Sequence, residues 1–133
     1  MPKIFTSETQ KTGEIGENIA CKFLVKHGFS VVERNYTKKW GEIDIVAEKQ
    51  HKLYFIEVKS VSRDLNVSQE TNTWRAEDNM HPWKMKRMSR TIQTYLLSKK
   101  IPDEKEWQVD LLVVYLDIKN KKAKIKKIQD LVL

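Results

Sequence analysis

The sequence has 133 residues, 25 Lys plus Arg against 18 Asp plus Glu and a formal charge of +7, a length that fills one core rather than two and a charge that suits a polyanionic partner. Its longest apolar run, Leu111 to Leu116, is far short of the roughly 20 residues a membrane span needs, and the opening stretch MPKIFTSETQKTG has no apolar export segment. A lone Cys21 excludes an intrachain disulfide, and His27, His51 and His81 stand too far apart for zinc-ligand spacing, so the expectation is one soluble domain over 1–133 in a reducing cytoplasm, with no membrane partner.

From about Thr12 to His27, the apolar residues Ile15, Ile19, Ala20, Phe23 and Leu24 recur at helical spacing, and Gly28 is placed to stop the helix. Glu17 falls at the edge of that apolar arc while Glu14 points away from it. Glu17 is therefore either an ordinary boundary glutamate with its head in water or an acid turned partly inward.

Three strands follow: Phe29 to Tyr36, Gly41 to Glu48 and Leu53 to Val61, the last two forming a hairpin. A turn centred between Gln50 and His51 opposes residues whose numbers sum to 101, so Asp44 faces Glu57 and Glu42 faces Lys59. That register makes one face continuously apolar, with Ile43 opposite Val58, Ile45 opposite Ile56 and Ala47 opposite Tyr54. The other face stacks Val46 on Phe55 and gathers Glu42, Asp44, Glu57 and Lys59 at one end. Two carboxylates ~4 Å apart repel by roughly 4 kcal/mol at an effective dielectric of 20, a cost that a proton, a cation or a lysine must offset. A hard divalent ion such as Mg²⁺ is one solution, since it takes carboxylate oxygens, backbone carbonyls, waters and phosphates and would suit two acids on adjacent strands with a third from a helix, while Lys59 on the same face as Glu57 could reach a phosphate or a water. A structural network in which Lys59 neutralises the acids is the other.

Periodicity then disappears, and 62–80 reads as a long mobile loop. Pro82 opens a second helix to about Lys99 with Met85, Met88, Ile92, Tyr95 and Leu96 as its core stripe. Lys86, Arg87 and Arg90 lie across from that stripe, either as solvated decoration or as a phosphate-contacting face. Lys84 lies beside the apolar arc and so can reach toward the acidic end of the sheet. The run WQVDLLVVYLD, Trp107 to Asp117, reads as a strand covered on both faces, and a turn at Lys119 to Lys121 leads into a lysine-rich edge strand. Helix, three strands, helix and strand give an α/β layered domain with a mixed sheet.

Glu17, Asp44, the Glu57-Val58-Lys59 triplet and Lys84, on an αβββαβ order, resemble the PD-(D/E)XK nuclease superfamily with its restriction-endonuclease-like core. The phrases GEIGENIACKFLVKHGF, GEIDIVAE and LYFIEVKS are more closely similar to the YraN-type family of bacterial proteins, which is itself similar to archaeal Holliday junction resolvases. The likeness runs from about Gly13 to Asp117. It implies a metal-dependent, structure-selective DNA endonuclease or, alternatively, a non-catalytic DNA-binding or interaction protein that keeps the fold and assists recombination, repair or DNA uptake. In that scheme Asp44 and Glu57 bind Mg²⁺ or Mn²⁺, Lys59 orients the water and steadies the phosphate, Glu17 assists the metal and Lys84 is an auxiliary from the second helix. The implied partner is branched or structured DNA, touched by Lys84, Lys86, Arg87, Arg90 and Arg63, and cutting both strands of a junction favours a homodimer. The chain departs from the family pattern at Thr37 and at Ser60-Val61-Ser62, where arginines are usual.

Overall fold

The structure, a computed structural model, describes residues 8–62 and 82–133. Helix α1 (Glu8–Lys26) leads into strands β1 (Ser30–Lys38), β2 (Gly41–Lys49) and β3 (Lys52–Ser62). Helix α2 (Pro82–Ser98) precedes β4 (Trp107–Asp117) and β5 (Lys122–Ile128). The five strands form one sheet in the order β1-β2-β3-β4-β5, antiparallel throughout except for the parallel pair β3 and β4. A parallel pair needs a crossover, and α2 lies in that crossover, so the expected αβββαβ core is present with one further edge strand. The loop expected over 62–80 lies, after Ser62, outside the described residues, as do Arg63 and His81.

Alternation along the strands sorts the core into two layers, one under each helix. Ala20 and Leu24 of α1 pack with Ile45, Ala47, Ile56, Leu112 and Val114. On the opposite face Met88, Ile92 and Tyr95 of α2 pack with Val46, Phe55, Leu111 and Val113. The unbroken apolar run of β4 is thus explained, since odd and even positions each meet a helix layer. Gly28 ends α1 with φ +89°, its backbone N–H bonded to Val25 O and that of Phe29 to Leu24 O, which satisfies carbonyls the helix leaves open.

Among the described residues, Glu57, Thr91, Asp110 and Asp117 are the polar side chains buried with this core. Asp110 of β4 is 1% exposed, and its Oδ1 accepts from Gln108 Nε2 at 2.7 Å and from the Asp130 backbone N–H at 3.0 Å. With the Leu131 N–H bonded to Val109 O at 2.7 Å, that carboxylate ties the chain beyond β5 back onto the sheet. Among the described residues, no helix is long and apolar enough to cross a membrane.

Candidate active site

The β2–β3 hairpin turns through Gln50 and His51, whose φ values of 50° and 66° match the two-residue turn that suits the right-handed twist of paired strands. Its ladder runs from Lys49 opposite Lys52 to Ile45 opposite Ile56, the register expected from the two-face pattern. Beyond Ile45 the ladder gives way. The Val58 N–H donates instead to Asp44 Oδ2 at 2.7 Å, so a side chain stands in place of a backbone carbonyl. On the other side of Asp44, the β1 register passes from Arg34 opposite Ile45 to Tyr36 opposite Ile43, and Asn35 between them adopts φ 53°.

This local distortion corrects two expectations. Ile43 does not continue the α1-facing surface of Ile45 and Ala47 but packs in the α2 layer with Val46, because the strand changes parity at Asp44. Glu42 does not oppose Lys59 in the ladder; its Oε2 accepts from Thr37 Oγ1 at 3.3 Å, toward β1. Asp44 and Glu57 lie beyond the last ladder pair and so are not paired in it, yet they line the same two cavities.

Glu17 joins them because α1 lies unusually close to β3. A Cβ built on Gly16 would overlap the Ser60 side chain, so only glycine lets the helix sit there, and the next residue is delivered to the acids. Gly41 does the same on the far side, where a Cβ would meet Thr91 Oγ1 at 2.5 Å and the Arg87 carbonyl at 3.1 Å. A glycine inside a helix costs about 1 kcal/mol against alanine, and that cost is the signal by which Gly16 could have been singled out from sequence.

The acids open onto a cavity of about 790 Å³ lined by Glu17, Asp44, Glu57, Val58, Lys59 and Lys84, with Ser60, Ser62 and Ile118 as wall residues that sequence reasoning missed. Lys84 Nζ meets Glu57 Oε1 at 2.6 Å, the reach expected of it from α2. Burial first, then the neighbouring Glu57, Glu17 and Glu42 carboxylates, push Asp44 well above the ordinary carboxylate range, and the Val58 N–H only partly offsets this.

Do these groups suit a divalent ion? Among the described residues, no three His, Cys, Asp or Glu side chains stand close enough to enclose one with protein ligands alone. Mg²⁺ is commonly held by one or two carboxylates with several waters and substrate phosphates, so an open pair of acids fits it better than a closed cage would. The accumulated negative charge at Asp44 supports that fit, since a cation would remove the repulsion that now favours a proton.

The basic face of α2 is present but differs in detail from a free solvated row. Lys86 is exposed, whereas Arg87 Nε donates to Trp40 O at 2.8 Å and the Arg90 guanidinium stacks 4.2 Å from the Trp40 ring centroid. Trp40, at the β1–β2 turn, is thus a long-range anchor for two of the expected DNA-contacting arginines.

The chain has relatives among known proteins. The family model described as "Uncharacterised protein family UPF0102" matches residues 16–114. A UPF0102 protein of Campylobacter jejuni is 38% identical over 106 residues, covering 80% of this chain and 85% of the relative. Another from Campylobacter lari is 38% identical over 102 residues, covering 77% and 81%. Among solved structures, Pyrococcus furiosus SfsA in complex with Ca²⁺ aligns with a TM-score of 0.35 and 12% identity, over 98% of this chain and 74% of that one.

Proposed function

The chain belongs to protein family UPF0102, and on that footing we propose that it is a metal-dependent, structure-selective DNA endonuclease, similar in type to the Holliday junction resolvases. The observation that carries this reading is a single cavity bordered by acids from three elements, Glu17, Asp44 and Glu57, and by Lys59 and Lys84. An excess of +7 charges supplies the attraction for a polyanionic substrate.

Asp44 and Glu57, with the Val58 carbonyl beside them and Glu17 in support, would hold Mg²⁺ or Mn²⁺. Such an ion, when bound, supplies Lewis acidity toward a phosphoryl oxygen and lowers the pKa of a water. The remaining roles fall to the chain itself. Lys59, an ammonium with three donors and no acceptor, orients a water and balances negative charge on the phosphate. Lys84 holds Glu57 in place through its 2.6 Å contact and adds positive charge to the cavity. Lys86, Arg87, Arg90 and Arg63 contact the DNA backbone, and a homodimer would bring two such sites to a branched substrate.

One observation favours a second reading. The Lys84 ammonium already neutralises Glu57, as it would in a DNA-binding protein that keeps the nuclease fold without turnover. Incubating flap, gapped and four-way junction DNAs with the protein and Mg²⁺ or Mn²⁺, beside a Glu57→Ala control, separates the two. Cleavage of a branched DNA that disappears in the control is the expected result. DNA binding with no metal uptake by calorimetry and no cut in any substrate would replace the nuclease with the binder.

A further inference from the structure

Asp44 and Glu57 also border a smaller cavity of about 300 Å³ on the α2 side, whose wall includes Trp83, Arg87 and Glu42. Trp83 is 59% exposed there, while the core aromatics Phe55 and Tyr95 are 0% and 3% exposed. Tryptophan is enriched at interfaces, where its ring meets an apolar surface and its N–H stays in contact with water. Arg87, one helical turn on, places its guanidinium 5.7 Å from the Trp83 ring centroid, and that guanidinium is itself anchored to Trp40 O at 2.8 Å. Arg90 over Trp40 extends the series, so aromatic rings and guanidinium groups alternate along this flank of α2.

Interleaved rings and cations are what an unpaired nucleic-acid strand needs, because its bases have open faces to stack and its phosphates need positive partners. Paired bases inside a duplex offer no such face. We propose that Trp83 is a stacking platform for an unpaired DNA base, which sits in the smaller cavity with Arg87 beside its phosphate and so sets the adjoining phosphodiester before Asp44 and Glu57. This deepens the DNA reading of the acid site by naming the feature recognised, a single-stranded segment at a branch or overhang. It does not depend on cleavage. Preorganisation of the ring by an anchored arginine keeps the ordering cost of stacking low.

The test is binding of full-length protein, without divalent ions, to a plain duplex and to the same duplex with a short single-stranded overhang, read by fluorescence anisotropy. A 2-aminopurine in the overhang reports stacking through quenching. The parent should prefer the overhang DNA, and Trp83→Ala should weaken that complex roughly tenfold or more while changing duplex affinity by less than about twofold. Trp83→Phe should recover much of the loss, and quenching should persist in the parent and in the Phe variant but vanish in the Ala variant. Equal affinity of the parent for both DNAs overturns the proposal. So does a Trp83→Ala variant that melts several degrees lower yet keeps the overhang preference, which would make the ring a packing residue. Since nothing is cut in this assay, a protein inert in the cleavage panel can still pass it, and a failure here leaves the endonuclease reading intact.

Discussion

Asp44 is held by opposing forces, a backbone N–H that favours its charged form and a buried, acid-rich setting that favours the neutral one. Because the setting prevails, the folded protein keeps a proton that the unfolded chain releases near pH ~3.9. Asp44 therefore favours folding in acid, and that contribution is lost as pH rises from the ordinary aspartate value through the raised one. An Asp44→Asn variant retains an oxygen for the Val58 N–H but carries no charge, so its melting temperature should exceed that of the metal-free parent at neutral pH, with the gap closing toward acid pH. Mg²⁺ should raise the melting temperature of the parent but not of the variant, and cleavage should be lost while DNA binding is retained or strengthened. Scans from pH 4 to 8 with and without the ion would check each part. Glu57 differs from Asp44 in having an ammonium partner, Lys84. Lys84→Ala leaves a buried carboxylate without its ammonium and should cost about 1–2 kcal/mol, reduced from the fully buried case because Lys84 is 37% exposed. Added Mg²⁺ should recover more stability in that variant than in the parent.

At the scale of elements, the site depends on how closely each helix approaches the sheet. Gly16→Ala should push α1 away from Ser60, costing about 1–3 kcal/mol and moving Glu17 out of register with the other acids. Pairing it with Ser60→Gly, which removes the obstructing side chain, should restore both the melting temperature and cleavage; failure of the pair to recover would show that the close approach is not what positions Glu17. Much of this layer was legible in the sequence. The hairpin register followed from the apolar alternation of Ile45, Ala47, Tyr54 and Ile56, which is incompatible with a one-residue slip. The reach of Lys84 followed from its place beside the apolar arc of α2. The parity change at Asp44 was not legible, because it requires a left-handed Asn35 on one side and a side chain in place of a carbonyl on the other. Nor was Trp40 legible, since its partners Arg87 and Arg90 lie more than a third of the chain away and local pattern carries no record of them.

For the whole molecule, the positive excess predicts DNA affinity that falls steeply with salt. Replacing Lys86, Arg87 and Arg90 together by alanine should weaken binding to every sequence alike and flatten the plot of log affinity against log salt by up to about 0.9 for each phosphate no longer neutralised. Anisotropy over a salt series measures this, and unchanged affinity would mark that face as solvated surface. The two outer strands bear on assembly. β1 is kinked between Val31 and Glu33 and again at Asn35, and β5 presents Lys122, Lys124 and Lys126. A backbone rim that is bent on one side and charged on the other discourages a second copy from extending the sheet. If two chains act together on two DNA strands, their helix surfaces rather than their outer strands offer the contact, and the twofold axis lies away from both edges of the sheet.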